Sequence, residues 1–355
     1  MTNVNIKAIC QQARQAALQL AQLSEADKNQ LLLAMADQLE ADSVLILAGN
    51  AKDMAAGRDK QLAEAMLDRL LLTEERIKTL ANAVRYIAAL PDPVGQIRQM
   101  VPRPNGIQVG KMRIPLGVIA MIYEARPNVT ADAGALCLKS GNAVILRGGR
   151  EALHSSMAIA DSLHKAMAKH GVNPAAISVI PDPDRALLLE LLQQKDSVDL
   201  VIPRGGEGLI HFVSDNSKIP VIQHYKGVCH LYVDQDADLE KAIALLINGK
   251  VQRPSACNSL ETLLVHQAVA PQFLKLAAAT LASYQVDVFA CEQSALYFSN
   301  AVLAQPQQFD TEYLRLAISV KIVPDYDAAI AHIQQHSSDH TEAVSYTHLT
   351  LPTKA

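Results

Sequence analysis

Residues 116–122 are Leu116-Gly117-Val118-Ile119-Ala120-Met121-Ile122, an apolar run typical of a strand buried on both faces of a parallel sheet. Strands that alternate with helices predict right-handed βαβ units and an α/β fold, with ligands at the carboxyl ends of the strands. Further apolar runs follow at residues 143–146, 176–180 and 198–202. Helical stretches lie between them at residues 151–170 and 185–193.

Two glycine-rich turns stand at the predicted carboxyl ends of strands. The first is Arg147-Gly148-Gly149, and the second is Arg204-Gly205-Gly206-Glu207-Gly208, which opens a helical stretch. Backbone N–H groups at a helix start hold phosphates well, so the second turn predicts a pyrophosphate site. A tight strand-to-helix turn without a ligand is an equally open interpretation. Arg147 and Arg150 flank the first turn, where they suit a 2′-phosphate or are solvated residues at a helix start.

The rest of the chain divides around this region. The first ninety residues have helical periodicity, with capping residues at Ser24 and Thr73. Residues 96–113 resemble strands joined by turns and predict an exposed β-arm. A second strand and helix alternation begins near Gly227. We therefore predict a dinucleotide-binding domain at residues 1–226, which includes the arm, and a second α/β domain at residues 227–344.

One cysteine has the surroundings that catalysis requires. Cys257 lies in residues 252–259 among small and polar neighbours, after an apolar helical run and before a strand. A reactive thiol needs room for a substrate carbon and a dipole that stabilises the thiolate. On this motif alone, a buried structural cysteine is the stronger alternative. No two of the five cysteines have the spacing of a metal site or of a redox pair, which predicts no metal site and a reducing cytoplasm. The cysteines are Cys10, Cys137, Cys229, Cys257 and Cys291.

Composition excludes several classes of function. The formal charge of -4 and the pI near 6.3 provide no basic surface for nucleic acid. No apolar run is long enough to cross a bilayer, and residues 1–14 lack the apolar core of a secretory signal. We therefore expect a cytoplasmic protein that binds neither nucleic acid nor a membrane.

Several strings, taken in order, resemble the aldehyde dehydrogenase superfamily, and within it the members that reduce an acyl phosphate. This resemblance implies the superfamily's fold, a Rossmann-type cofactor domain and a cysteine-bearing catalytic domain, with a β-arm used in oligomerisation. It is carried by residues 113–119, 122–130, 137–149, 202–206, 227–234 and 252–258.

Roles for individual residues follow from the resemblance. It implies that Cys257 is the nucleophile and that Asn128 and the Cys257 backbone N–H form the oxyanion hole; a turn-forming role is the alternative for Asn128. Arg147 matches the superfamily's ribose-binding lysine. The remaining cofactor candidates are Gly148, Gly149, Arg204, Gly205, Gly206 and Gly208.

Arg126 and Lys139 are candidates for contacts with the substrate's carboxylate or phosphate, because guanidinium and ammonium groups suit these anions. A structural ion-pair role is the alternative for both residues.

The implied activity is NADPH-dependent reduction of L-glutamyl 5-phosphate to L-glutamate 5-semialdehyde, in proline biosynthesis, through a cysteine thioester. Members that form free acids carry a glutamate base that activates water, and the matching residues 220–227 contain no carboxylate. A general aldehyde dehydrogenase and a non-catalytic fragment of the fold are the alternatives. The implied partners are further copies of the chain and glutamate 5-kinase.

The resemblance ends at Val344. Residues 345–355 have neither helical nor strand periodicity and predict a foreign tail. Because the matched family continues beyond this point, we expect the chain to expose apolar surface and to be unstable or inactive.

Overall fold

The computed structural model describes residues 4–222 and 226–345. The chain forms two compact units, Met1–Gln223 and His224–Ala355. The sequence-based boundary lies between residues 226 and 227. Gln223, His224 and Tyr225 of the segment that lacks a carboxylate, and residues 346–355 of the predicted tail, lie outside the described residues.

The first unit begins with helices, as the periodicity predicts. Asn5, Ser24 and Thr73 each cap a helix by accepting a backbone N–H in the first turn, and Asp27 completes a capping box with Ser24. The predicted caps at Ser24 and Thr73 are therefore confirmed. The helices are α1 (Ile6–Leu20), α2 (Glu25–Ala41), α3 (Ser43–Asp59), α4 (Glu64–Leu70) and α5 (Glu74–Ala89).

An exposed antiparallel hairpin follows, formed by β1 (Ile97–Pro102) and β2 (Gln108–Met112). Every residue of both strands is exposed, including Ile97 at 59% and Met112 at 58%. The predicted β-arm is confirmed as a structure. Large apolar side chains on an exposed hairpin favour contact with another surface.

A four-stranded parallel sheet forms the centre of the first unit, in the order β5-β4-β3-β6. Its two central strands are almost entirely buried and mostly apolar, which is typical of parallel strands covered by helices. The predicted alternation is confirmed by β3 (Val118–Tyr123), α6 (Val129–Lys139), β4 (Ala143–Arg147), α7 (Leu153–Lys169), β5 (Ile177–Val179), α8 (Arg185–Leu192), β6 (Leu200–Arg204) and α9 (Glu207–Asn216).

The second unit has a six-stranded parallel sheet of its own, in the order β10-β9-β11-β8-β7-β12. Ser345, where the predicted tail begins, ends the edge strand and pairs with Val233. The elements are β7 (Cys229–Val233), α10 (Leu239–Val251), β8 (Leu260–His266), α11 (Ala270–Ser283), β9 (Asp287–Ala290), α12 (Glu292–Ala295), β10 (Val302–Leu303), β11 (Ala317–Val323), α13 (Tyr326–His336) and β12 (Glu342–Ser345).

Each unit has its own apolar core around its sheet. The first contains strand residues such as Ile145 and helix residues such as Leu32, and the second contains Leu263 and Phe273. Within residues 4–222 and 226–345, no helix is both long and apolar enough to cross a bilayer.

Candidate active site

Cys257 lies in the connection between α10 and β8. A tight turn closes there, with the N–H of Ser259 donating to the carbonyl of Ala256 at 2.9 Å. Cys257 is half-buried, whereas Cys10, Cys137 and Cys229 are fully buried. Burial raises the pKa of each of those three thiols to about 12, so they stay protonated and unreactive near neutral pH. Cys257 is therefore not a fully buried structural cysteine.

The backbone of Gly227 packs directly against the nucleophile candidate. A Cβ placed at Gly227 would lie 1.7 Å from the carbonyl oxygen of Cys257 and 2.8 Å from its carbonyl carbon. Both contacts are with backbone atoms, so no side-chain rotation relieves them. Only glycine permits this approach without moving the chain.

We expect Gly227→Ala to lower the free energy of unfolding by about 3 kcal/mol, as severe overpacking does, and to displace the Cys257 turn. Gly249→Ala, in α10, is the matched control, because its Cβ would lie 3.4 Å from the Cβ of Leu260 on β8, which is an ordinary contact. Denaturant unfolding of both variants checks the difference. Equal stability of Gly227→Ala and the parent chain would contradict the close approach.

Asn128 lies at the start of α6, directly after the segment that follows β3. Its side chain makes no capping hydrogen bond. Instead, its amide Nδ2 donates to Oδ2 of Asp132 at 3.0 Å, one helical turn further on. Burial raises the pKa of Asp132, and the bond from Asn128 opposes that rise. Asp132 thus holds the amide nitrogen at a defined orientation, and the second N–H of that amide can still donate.

The two glycine turns lie at the same edge of the first unit's sheet. In the strand register, Ile122 pairs with Arg147 and Tyr123 pairs with Arg204, so both turns flank the end of β3. The predicted arrangement of strand, glycine turn and helix is confirmed for β6 and α9. This edge is where open α/β sheets bind their ligands.

Glu124 and Ala125 lie between the two turns. The N–H of Gly206 donates to Oε1 of Glu124 at 3.0 Å, so a carboxylate already accepts a hydrogen bond from the N-cap residue of α9. A Cβ on Gly205 would lie 2.7 Å from that carboxylate, and one on Gly149 would lie 3.4 Å from the backbone nitrogen of Ala125. The N–H of Gly206 is therefore oriented toward an anionic oxygen.

Arg147 ends β4 beside these turns. Its Nη2 donates to the carbonyl of Pro183 at 2.7 Å, while its buried Nε has no hydrogen-bond partner among the described residues. Burial, with the positive charges of Arg185 and Arg150, lowers the pKa of this guanidinium. Arginines beside the glycine turns could hold an anionic group of a dinucleotide.

The two substrate-binding candidates differ in their surroundings. Arg126 is exposed in the turn before α6. Lys139 is 3% exposed, and its ammonium donates to Asn29 on α2 and, at 2.9 Å, to the carbonyl of Ala88 on α5. These contacts match the structural alternative for Lys139, because its charge is enclosed between helices.

Three carboxylates near the candidate residues went unnoticed in the sequence. Asp132 had a detectable signal, since it follows Asn128 by one helical turn, the spacing at which side chains meet. Glu124 and Glu261 had none, because their partners Gly206 and Lys250 are brought to them by tertiary packing.

The chain is similar to known proteins of one family. The aldehyde dehydrogenase family matches residues 1–296. A γ-glutamyl phosphate reductase of Colwellia psychrerythraea is 57% identical over 345 residues, 97% of this chain and 82% of the relative. One of Idiomarina loihiensis is 59% identical over 338 residues, 95% of this chain and 81% of the relative.

A solved structure extends the agreement to the fold. The crystal structure of γ-glutamyl phosphate reductase from Thermotoga maritima is 36% identical, with a TM-score of 0.93, and the match covers 97% of this chain and 83% of that one. The aldehyde-dehydrogenase-like α/β fold that residues 113–258 imply is confirmed. Sequence and structure together place the chain in the γ-glutamyl phosphate reductase family of the aldehyde dehydrogenases.

Proposed function

We propose that this chain reduces L-glutamyl 5-phosphate to L-glutamate 5-semialdehyde and inorganic phosphate, the second step of proline biosynthesis from glutamate. The observation that carries the proposal is that the chain belongs to this family. Its Cys257 is half-buried and lies in a turn between a helix and a strand. The fully buried cysteines lack the access that an acyl substrate needs.

Covalent catalysis explains the use of a thiol. The Cys257 thiolate attacks the acyl carbon, the bond from that carbon to the phosphate oxygen breaks, and inorganic phosphate leaves with the bonding electrons. The product is a thioester, which accepts a hydride more readily than a carboxylate does. When bound, NADPH would supply that hydride. Collapse of the resulting thiohemiacetal breaks the carbon–sulfur bond, releases the aldehyde and restores the Cys257 thiolate.

Asn128 is proposed to stabilise the negative charge that develops on the acyl oxygen, together with the backbone N–H of Cys257. Its amide is held by Asp132 at 3.0 Å, which fixes the direction of the remaining N–H. A donor that is already oriented costs no reorganisation when charge develops on the oxygen.

The cofactor is proposed to bind at the glycine turns of the first unit. Gly205, Gly206 and Gly208 would hold its pyrophosphate, and Arg147 with Gly148 and Gly149 would hold its ribose and 2′-phosphate. Arg204 borders the same turn. Support comes from the N–H of Gly206, which already donates to a carboxylate, and from the unpaired buried Nε of Arg147 within the described residues.

Arg126 is the proposed contact for a substrate anion. It is exposed, and a guanidinium binds carboxylate or phosphate through two parallel hydrogen bonds. The network of Lys139 with Asn29 and Ala88 supports a structural role for that residue instead.

Phosphate dependence tests the proposed reaction in reverse. We expect glutamate 5-semialdehyde and NADP to yield NADPH only when inorganic phosphate is present, because the segment before Gly227 lacks a carboxylate that would activate water. Absorbance of NADPH is followed with and without phosphate. Rapid NADPH formation without phosphate would favour a general aldehyde dehydrogenase, and no formation in either case would favour a non-catalytic fragment.

We also propose a cytoplasmic homo-oligomer that associates with glutamate 5-kinase. The exposed apolar hairpin of β1 and β2 supports self-association. Acyl phosphates hydrolyse in water, so direct transfer from the kinase that forms the substrate would limit its loss.

A further inference from the structure

A buried ion pair joins the two elements that carry the Cys257 turn. Lys250 lies in the last turn of α10, and Glu261 is the second residue of β8. The Lys250 Nζ and Glu261 Oε2 atoms are 2.7 Å apart, and both side chains are completely buried. The pair therefore joins the two ends of the connection between α10 and β8 that contains Cys257.

Stability alone is a weak reason for such a pair. Removing two charges from water costs as much as their attraction returns, so a buried pair is often no more stabilising than apolar residues. The pair does hold one geometry, because the Lys250 ammonium donates directly to the Glu261 carboxylate and both side chains are fully buried. Oε1 of Glu261 also accepts the N–H of Leu314 at 3.4 Å, which ties the base of the turn to the segment before β11.

Cys229 reaches the same turn from the neighbouring strand. It begins β7 and pairs with Leu260 in the sheet. Its Sγ lies 3.5 Å from the carbonyl oxygen of Cys257. Burial raises the pKa of this thiol to about 12, so it retains the proton that it donates to the carbonyl. The carbonyl of Cys257 is thus held by Cys229 and approached closely by Gly227.

We propose that Lys250, Glu261 and Cys229 are positioning residues that orient the Cys257 turn for attack on the acyl carbon. The ion pair fixes the two ends of the turn, and the Cys229 thiol fixes the peptide that follows the nucleophile's Cα. The inference rests on the proposed function, since it takes Cys257 as the nucleophile.

Variants of Cys229 provide the first test. Cys229→Ala removes the donor, and we expect kcat to fall about fivefold to tenfold, the size of one lost hydrogen bond, with the Kd for NADPH unchanged. Cys229→Ser keeps a donor and should recover most of the rate. Cys137→Ala, at a buried cysteine of the first unit, is the control. Full kcat in Cys229→Ala, or equal losses in the alanine and serine variants, would overturn the role of Cys229.

A double variant tests the ion pair without leaving one charge alone. Lys250→Met with Glu261→Gln should reduce kcat by about 10²-fold, the loss that follows a displacement of about 1 Å at a reacting group. The matched control is Lys28→Met with Asp92→Asn, a pair of the first unit in which Lys28 is buried and Asp92 is partly buried, with Nζ and Oδ2 2.5 Å apart. Thermal melts of both double variants record their stability.

The outcomes separate this inference from the proposed function. An active parent chain whose Lys250/Glu261 variant keeps full kcat would overturn the inference and leave the proposed function intact. The inference would also be overturned if the Lys28/Asp92 control variant, at a similar melting temperature, lost as much activity as the Lys250/Glu261 variant. A parent chain without phosphate-dependent activity would overturn both.

Discussion

The Cys257→Ala variant is expected to lose phosphate-dependent oxidation of glutamate 5-semialdehyde by about 10⁴-fold or more, as enzymes do when a covalent nucleophile is removed. No thioester forms without the sulfur, and the chain's other half-buried thiol in the described residues, Cys291, contacts Ser294 at 3.2 Å beside α12. The Kd for NADPH should not change, because the glycine turns belong to the first unit.

Cys291→Ala is the matched control for this variant and should retain the parent's activity. Labelling adds an independent measurement, since iodoacetamide should modify Cys257 faster than Cys10, which is buried, and the substrate should protect it. Substantial turnover by Cys257→Ala would disprove the thioester route. Labelling without protection by substrate would favour a non-catalytic fragment.

Asn128→Ala is expected to reduce kcat by about 10²–10³-fold, or roughly 3–4 kcal/mol of transition-state stabilisation, with little change in KM. The oxyanion develops only as the acyl carbon becomes tetrahedral, so removing its donor affects the chemical step more than substrate binding. Steady-state kinetics of the phosphate-dependent reaction provides both constants.

The neighbouring Asp132 sharpens the test of Asn128. Asp132→Ala removes the acceptor that orients the amide and should cause a smaller loss of kcat in the same direction, while Asn128 stays in place. A turn-forming role for Asn128 predicts the opposite pattern, in which Asn128→Ala lowers the melting temperature and leaves kcat unchanged.

Much of the fold is readable from local pattern. The buried strand at Val118–Tyr123 and the helix at Arg185–Leu192 follow directly from apolar periodicity. Short elements escaped this reasoning, because β10 (Val302–Leu303) and β12 (Glu342–Ser345) are too brief to show a period. Their strand conformation depends on pairing with neighbours that are distant in sequence.

The residue types at the site were predictable, but their contacts were not. Lys139 illustrates the difference, since its ammonium suits an anion in sequence and is enclosed by Asn29 and Ala88 in the structure. Glu124 appeared as one residue of a matched string, yet it accepts the N–H of Gly206, which lies far along the chain.

The sequence by itself determined the family, the alternation of strands and helices, and Cys257 as the candidate nucleophile, because strings of neighbouring residues carry that information. Only the tertiary structure decided that Cys257 is half-buried while Cys229 is enclosed beside it, and that Lys250 and Glu261 pair across the base of its turn. The physical reason is that burial and ion pairing depend on which distant segments pack together, and helical or strand periodicity is local and contains no record of those partners.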